Sequence, residues 1–258
     1  MINASNYINV NGSTIYYEIS GNLRGEPLLM LHGGLGSIHE LEPLHKYLLD
    51  NYQLISLDLR GHGKSELGYL RLSYSQYQQD AHSVLGALGI EQYSIFGFSD
   101  GGIVGYRLAA QEPGRVSCLV TLGSQWQVNI DDPSMKLLSS LTPDFWRNRF
   151  SDDVSLYEAT NPKPDFPKLV DAVKEAWFDK TASGYPCDLV AQIRCPTLII
   201  RGDNDFIFSL DEAVALKGKI SGSCFANIPQ TTHASHQEAP GIVGSMIKRF
   251  LSQHGNNK

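Results

Sequence analysis

Short apolar runs alternating with helical stretches constrain this chain more than any other feature of its sequence. Apolar runs at residues 27–31, 53–57 and 93–97 are each followed by a helical pattern, at 38–49, 74–88 and 101–111. A run at 116–122 comes next. After a gap the order resumes with 197–202, a helix over 209–217, a run at 223–228 and a last helix near 240–252. Strand–helix–strand order implies parallel strands joined by right-handed crossovers. The opening differs, because residues 5–10 and 13–20 flank Asn11-Gly12, a pair suited to a two-residue turn with positive φ. An antiparallel hairpin is expected there. With both hairpin arms counted, the pattern predicts an α/β fold: a mostly parallel eight-stranded sheet with helices on both faces.

The gap covers residues 125–195. It holds all three tryptophans, Trp126, Trp146 and Trp177, and six of the twelve prolines, which favours short broken helices carrying large apolar faces. We therefore expect a core of residues 1–124 and 196–258 interrupted by a helical insertion at 125–195. Its aromatics either cover a pocket as a lid or form only the insertion's own small core. Residues 255–258 read as a frayed tail.

Composition narrows the function classes. At 42% hydrophobic residues the chain can bury one large core. Its formal charge of −6, with no basic run, lacks the electrostatic footprint of a nucleic-acid binder. Residues 1–20 are polar and alternating, without a basic leader and apolar core, and no stretch approaches the roughly 18 apolar residues of a membrane span. The expectation is a soluble, cytoplasmic protein whose partner is a small-molecule substrate, not a membrane. Cys118, Cys187, Cys195 and Cys224 stand far apart with no Cys-x-x-Cys pair, so buried reduced thiols are expected. EF-hand, His-Glu-x-x-His and Gly-x-x-x-x-Gly-Lys patterns are missing, so no metal or cofactor is expected. Chemistry must then come from side chains.

Gly97-Phe98-Ser99-Asp100-Gly101 fits Gly-x-Ser-x-Gly. As a bare pattern this is weak; its context raises it, since a strand pattern enters the motif and a helical pattern leaves it. A strand-to-helix turn this sharp brings neighbouring backbone close, so the positions two before and two after the apex must lack side chains. Both are Gly, and Ser99 would stand exposed at the strand's carboxyl end. A serine hydroxyl is a poor nucleophile near neutral pH and needs a base within hydrogen-bond reach, with a carboxylate to fix that base's tautomer. Downstream, Arg201-Gly202-Asp203-Asn204-Asp205 follows one strand and Thr231-Thr232-His233 follows the next. Acid and base would share the sheet edge occupied by Ser99, in the order nucleophile, acid, histidine.

With these residues in place, the chain resembles the α/β-hydrolases of the small capped esterase type over nearly its whole length. His32-Gly33-Gly34 is similar to the family's oxyanion loop, and Asp58-Leu59-Arg60-Gly61-His62-Gly63-Lys64-Ser65 to its turn after the fourth strand. Residues 233–240 are similar to its histidine loop, with Glu238 and Pro240 following; Thr232 departs from the Gly usual before that histidine. The resemblance implies an α/β-hydrolase fold with 125–195 as a helical cap. It also implies Asp205 rather than Asp203 as the acid, with Asp203 tying the turn, and His233 rather than His236 as the base. Backbone N–H groups of Gly34 and Asp100 would be the oxyanion donors. For the Asp100 side chain two roles are open: interaction with the amino-terminal end of the following helix, or pairing with a cationic substrate group, as the Gly-x-Ser-Asp-Gly-Gly run of the biphenyl-hydrolase-like branch suggests. The other histidines read as structural or solvated.

The expected activity is hydrolysis of a small carboxylic ester through an acyl-serine intermediate. A serine at the apex argues against the related dehalogenases and epoxide hydrolases, which use Asp there. Carbon–carbon, thioester and aminoacyl hydrolysis remain alternatives on the same residues, as does a hydrolase-fold receptor that binds a small ligand with little turnover.

Overall fold

Both faces of the central strands carry apolar side chains, and that decides the layering. In the computed structural model, which describes residues 2–129 and 131–255, β1 (Ile2–Val10) and β2 (Ser13–Gly21) form the expected antiparallel hairpin. Asn11 and Gly12 turn it with φ of 45° and 76°, the geometry that matches strand twist in a two-residue turn. β3 (Glu26–Leu31) is followed by a 3-10 turn, Ile38–Leu41, and α1 (Glu42–Leu48), which together replace the single helix expected at 38–49. Pro43, in the first turn of α1, is tolerated only at a helix start. The alternation continues through β4 (Tyr52–Leu57), α2 (Tyr74–Ala87), β5 (Tyr93–Phe98), α3 (Asp100–Gln111) and β6 (Val116–Leu122).

An inserted helical segment then interrupts the sheet: α4 (Pro133–Ser140), α5 (Pro143–Arg149), α6 (Ser151–Thr160) and α7 (Phe166–Trp177). Its prolines start helices more than they break them. Pro133, Pro143 and Pro167 lie in first turns, and Asp132, Thr142 and Asp165 cap those turns by accepting from the N–H groups of Ser134, Phe145 and Lys168. The chain returns through β7 (Thr197–Gly202), α8 (Leu210–Lys219), β8 (Cys224–Ile228), a short α9 (Ser235–Glu238) absent from the sequence reading, and α10 (Pro240–His254). Residues 256–258 of the expected tail lie outside the described residues.

The eight strands are ordered β1-β2-β4-β3-β5-β6-β7-β8, antiparallel at β1/β2 and β2/β4 and parallel elsewhere. Alternate residues of one strand feed two cores. Leu28, Met30, Phe96 and Val120 pack with Leu44 and Leu48 of α1 and Val243 and Ile247 of α10. Leu29, Leu31, Ile95 and Leu119 face the other way, towards Val84 of α2, Val104 of α3 and Leu216 of α8. Strands buried on both faces read as continuous apolar runs, which is why they were visible in the sequence. Cysteine placement differs from expectation: Cys118 is buried and Cys195 partly so, but Cys187 and Cys224 are exposed, all four as free thiols. Among the described residues no helix is long and apolar enough to cross a membrane.

Candidate active site

The strand order changes direction at β3, which has β4 on one side and β5 on the other, and loops leaving such a switch point open a crevice at the carboxyl edge. Gly34 follows β3 and Ser99 follows β5. Asp205 and His233 arrive at the same edge from the loops after β7 and β8.

Ser99 sits at φ 49°, ψ −117°, a conformation that L residues rarely adopt. The turn closes so tightly that a Cβ on Gly97 would lie 2.4 Å from the Gly101 carbonyl oxygen, and one on Gly101 would lie 2.3 Å from that of Leu31. Both glycines are thus sterically required, as a sharp strand-to-helix turn predicts. Held there, Ser99 Oγ is 3.0 Å from His233 Nε2. On the far side of the ring, Nδ1 is 3.0 and 3.1 Å from the two carboxylate oxygens of Asp205. Asp203 is exposed and accepts instead from Asn227 Nδ2 at 2.6 Å. His236 is buried against Phe98, 4.4 Å between ring centroids.

Electrostatics suit this series. Burial alone would raise the Asp205 carboxyl. The attraction and hydrogen bond of His233, with N–H donors from Phe208 and Ile207, outweigh that and hold it below the usual carboxylate value. An ionised Asp205 accepts from Nδ1–H and so leaves the Nε2 lone pair facing Ser99. The pair has room because a glycine follows β6: a Cβ on Gly123 would lie 2.9 Å from the His233 ring and 3.1 Å from Asp205 Oδ2. No sequence signal singled out Gly123.

The loop after β3 is clamped from two sides. His32 accepts the Leu59 N–H at Nε2 (2.8 Å), so Nδ1 carries its hydrogen and donates to the Gly33 carbonyl, also at 2.8 Å. Burial, then the neighbouring His62, pushes His32 down to about 3 and keeps it neutral. The Gly33 N–H donates to Glu40, an acid inside a stretch of helical pattern with no sequence signal for this role. Burial, with Asp153, Asp100 and Asp58 adding repulsion, raises Glu40 to about 8.

Asp100 lies in the first turn of α3, as the first expected role requires, and makes side-chain contacts that neither expectation named. Its carboxylate accepts from Tyr74 Oη at 3.0 Å and from Trp177 Nε1 at 3.0 Å to each oxygen, tying the end of α7 to the turn that holds Ser99. Burial raises it to about 6 against the opposing pull of those donors and of His233. Its backbone N–H belongs to the first turn of α3, where no intrahelical acceptor exists.

A cavity of about 560 Å³ lies over Ser99. Gly34, Asp100 and His233 line it together with Leu138, Trp146 and Trp177 of the inserted helices. Two of the three tryptophans therefore face the cavity. Trp126 belongs to the buried core.

The comparisons agree with this architecture. A family model described as the alpha/beta hydrolase fold matches residues 26–172, more than half of the chain, and the chain belongs to that family. It is 27% identical to serine hydrolase BPHL of Mus musculus, over 94% of this chain and 84% of that protein. It is 28% identical to 2-hydroxymuconate semialdehyde hydrolase of Pseudomonas sp. (strain CF600), over 89% of this chain and 88% of the other. Among solved structures, the meta-cleavage product hydrolase from Pseudomonas fluorescens IP01 superposes with a TM-score of 0.82 at 18% identity, covering 96% of this chain and 97% of that one.

Proposed function

We propose that this α/β hydrolase cleaves small carboxylic esters through an acyl-serine intermediate. The observation that carries the reading is the unbroken series from Ser99 Oγ through both nitrogens of His233 to Asp205, 3.0 Å at each link. As Oγ attacks the ester carbonyl, His233 Nε2 takes its proton, and Asp205 stabilises the imidazolium that results. The carbonyl oxygen becomes an oxyanion, to which the backbone N–H groups of Gly34 and Asp100 donate. His233 then returns the proton to the departing alcohol oxygen, leaving the acyl group on Ser99. Water, deprotonated by the same imidazole, releases the acid and restores the serine.

Charge in the cavity wall supports an ester without a free carboxylate. Asp100, Asp153 and Glu238 line it against one guanidinium among the described residues, that of Arg149, so an anionic acyl chain would meet repulsion.

A fluorophosphonate probe and a short-chain aryl ester test the proposal. Labelling at Ser99 with turnover is expected. Ser99→Ala should abolish both, and Asp205→Asn should lower turnover by about 10⁴-fold. Labelling without turnover of any ester would replace the enzyme reading by that of a ligand-holding protein.

A further inference from the structure

Because His233 hands its proton to the departing oxygen, the leaving group of an ester over Ser99 lies against His233 and away from the oxyanion donors. Two phenylalanine rings lining the cavity stand beside His233: Phe98, which is buried, and Phe206, which is exposed. The Phe206 ring centroid is 6.2 Å from that of His233, with the planes at 46°. Phe206 is 57% exposed although its neighbours turn inward, with Asp205 buried and Phe208 wholly so.

The turn dictates this outward position. Asp205 Oδ1 accepts the N–H groups of Ile207 and Phe208 at 2.9 and 3.0 Å. Arg201 donates to the carbonyls of Asp205 and Phe208 at 3.2 and 3.0 Å. The bonds that aim the acid at the imidazole therefore also set the backbone from which Phe206 projects beside it. The same cavity is lined by two further exposed apolar side chains, Leu137 and Phe145 of the inserted helices. Glu238, the carboxylate on the His233 loop, is engaged by the N–H and hydroxyl of Thr232.

Resting on the ester-hydrolase reading, we propose that Phe206 is a specificity-determining residue, the platform for an apolar leaving group, specifically an aryl alcohol. The exposed Phe206 ring gives up solvent contact when another ring packs on it. Stacked or edge-to-face aromatic contacts add to the burial of area, and they do so before the ester bond breaks. The acyl-enzyme no longer contains the leaving group, so deacylation does not feel Phe206.

The test compares phenyl and methyl esters of one short acid on the parent, Phe206→Ala and Phe206→Leu, with fluorophosphonate labelling of each protein. The ratio of kcat/KM, phenyl over methyl, is expected to fall about threefold to tenfold in Phe206→Ala and less in Phe206→Leu. The rate of release of the shared acyl group, read from the slow phase after an aryl-ester burst, is expected to stay at the parent value. An unchanged ratio, or an equal loss on both esters, overturns the role of Phe206 while labelling and turnover leave the acyl-serine reading standing. A parent protein that Ser99-directed probes fail to label overturns that reading first.

Discussion

Ser99 and Glu40 show two ways in which single positions are held away from their ordinary state. Ser99 is forced to positive φ, a strain of roughly 1–3 kcal/mol that the close packing of β5 on α3 must sustain. Glu40 is displaced in protonation. Burial and three neighbouring carboxylates hold it at about 8, against about 4.3 for an unperturbed Glu. Between those values the folded protein keeps a proton that the unfolded chain has lost. The stability contributed by this group is therefore complete below about pH 4 and is lost as pH rises through about 8. Glu40→Gln keeps an acceptor for the Gly33 N–H and removes the titration. Its urea midpoint is expected to gain on that of the parent as pH is raised from 4 to 9; parallel midpoints across that range would contradict the assignment.

The inserted helices are short, between 7 and 12 residues, and isolated helices of that length are marginal in water. They are held by what they pack on, and the link best placed to matter for the site is Trp177, the last residue of α7, on Asp100. Trp177→Phe keeps the aromatic bulk and removes the indole N–H, leaving the buried carboxylate with Tyr74 as its remaining side-chain donor. Denaturant unfolding is expected to show a loss of about 1–3 kcal/mol. Under the proposed ester hydrolysis, KM for short esters should rise more than kcat falls, because the wall of the cavity moves and Ser99 does not. An unaltered midpoint would mean that α7 is held by apolar packing alone. The same dependence explains why this segment was only coarsely legible: Pro133, Pro143 and Pro167 look like helix breakers until the capping partners beside them are known to start helices.

Arg60 and Asp80 connect three distant parts of the chain in one buried pair. The guanidinium donates to Asp80 at 2.7 and 2.8 Å and to the Val10 carbonyl at 2.8 Å, so the turn after β4 is tied to α2 and to the hairpin. Both side chains are essentially inaccessible. Asp80→Ala would strand a buried cation and is expected to cost about 3–5 kcal/mol in thermal or denaturant unfolding, whereas Arg60→Met combined with Asp80→Leu should cost far less. Equal losses for the single and double variants would show that the pair adds stability beyond avoiding an unpaired charge.

The hairpin at Asn11-Gly12, the strand–helix alternation and the glycines around Ser99 could be read without coordinates, because each depends on neighbours a few positions away along the backbone. Asp205 and His233 were legible as to loop and order. Their selection over Asp203 and His236 followed from family spacing, while the contacts of Asp205 with His233 and of His233 with Ser99 are properties of the folded sheet edge. Trp177 meeting Asp100 across 77 residues, Gly123 clearing space for an imidazole from another loop and Glu40 accepting the Gly33 N–H had no local signature. Burial and long-range proximity exist only once the strands are ordered and the helices packed, so those features belong to the assembled molecule and not to any stretch of its chain.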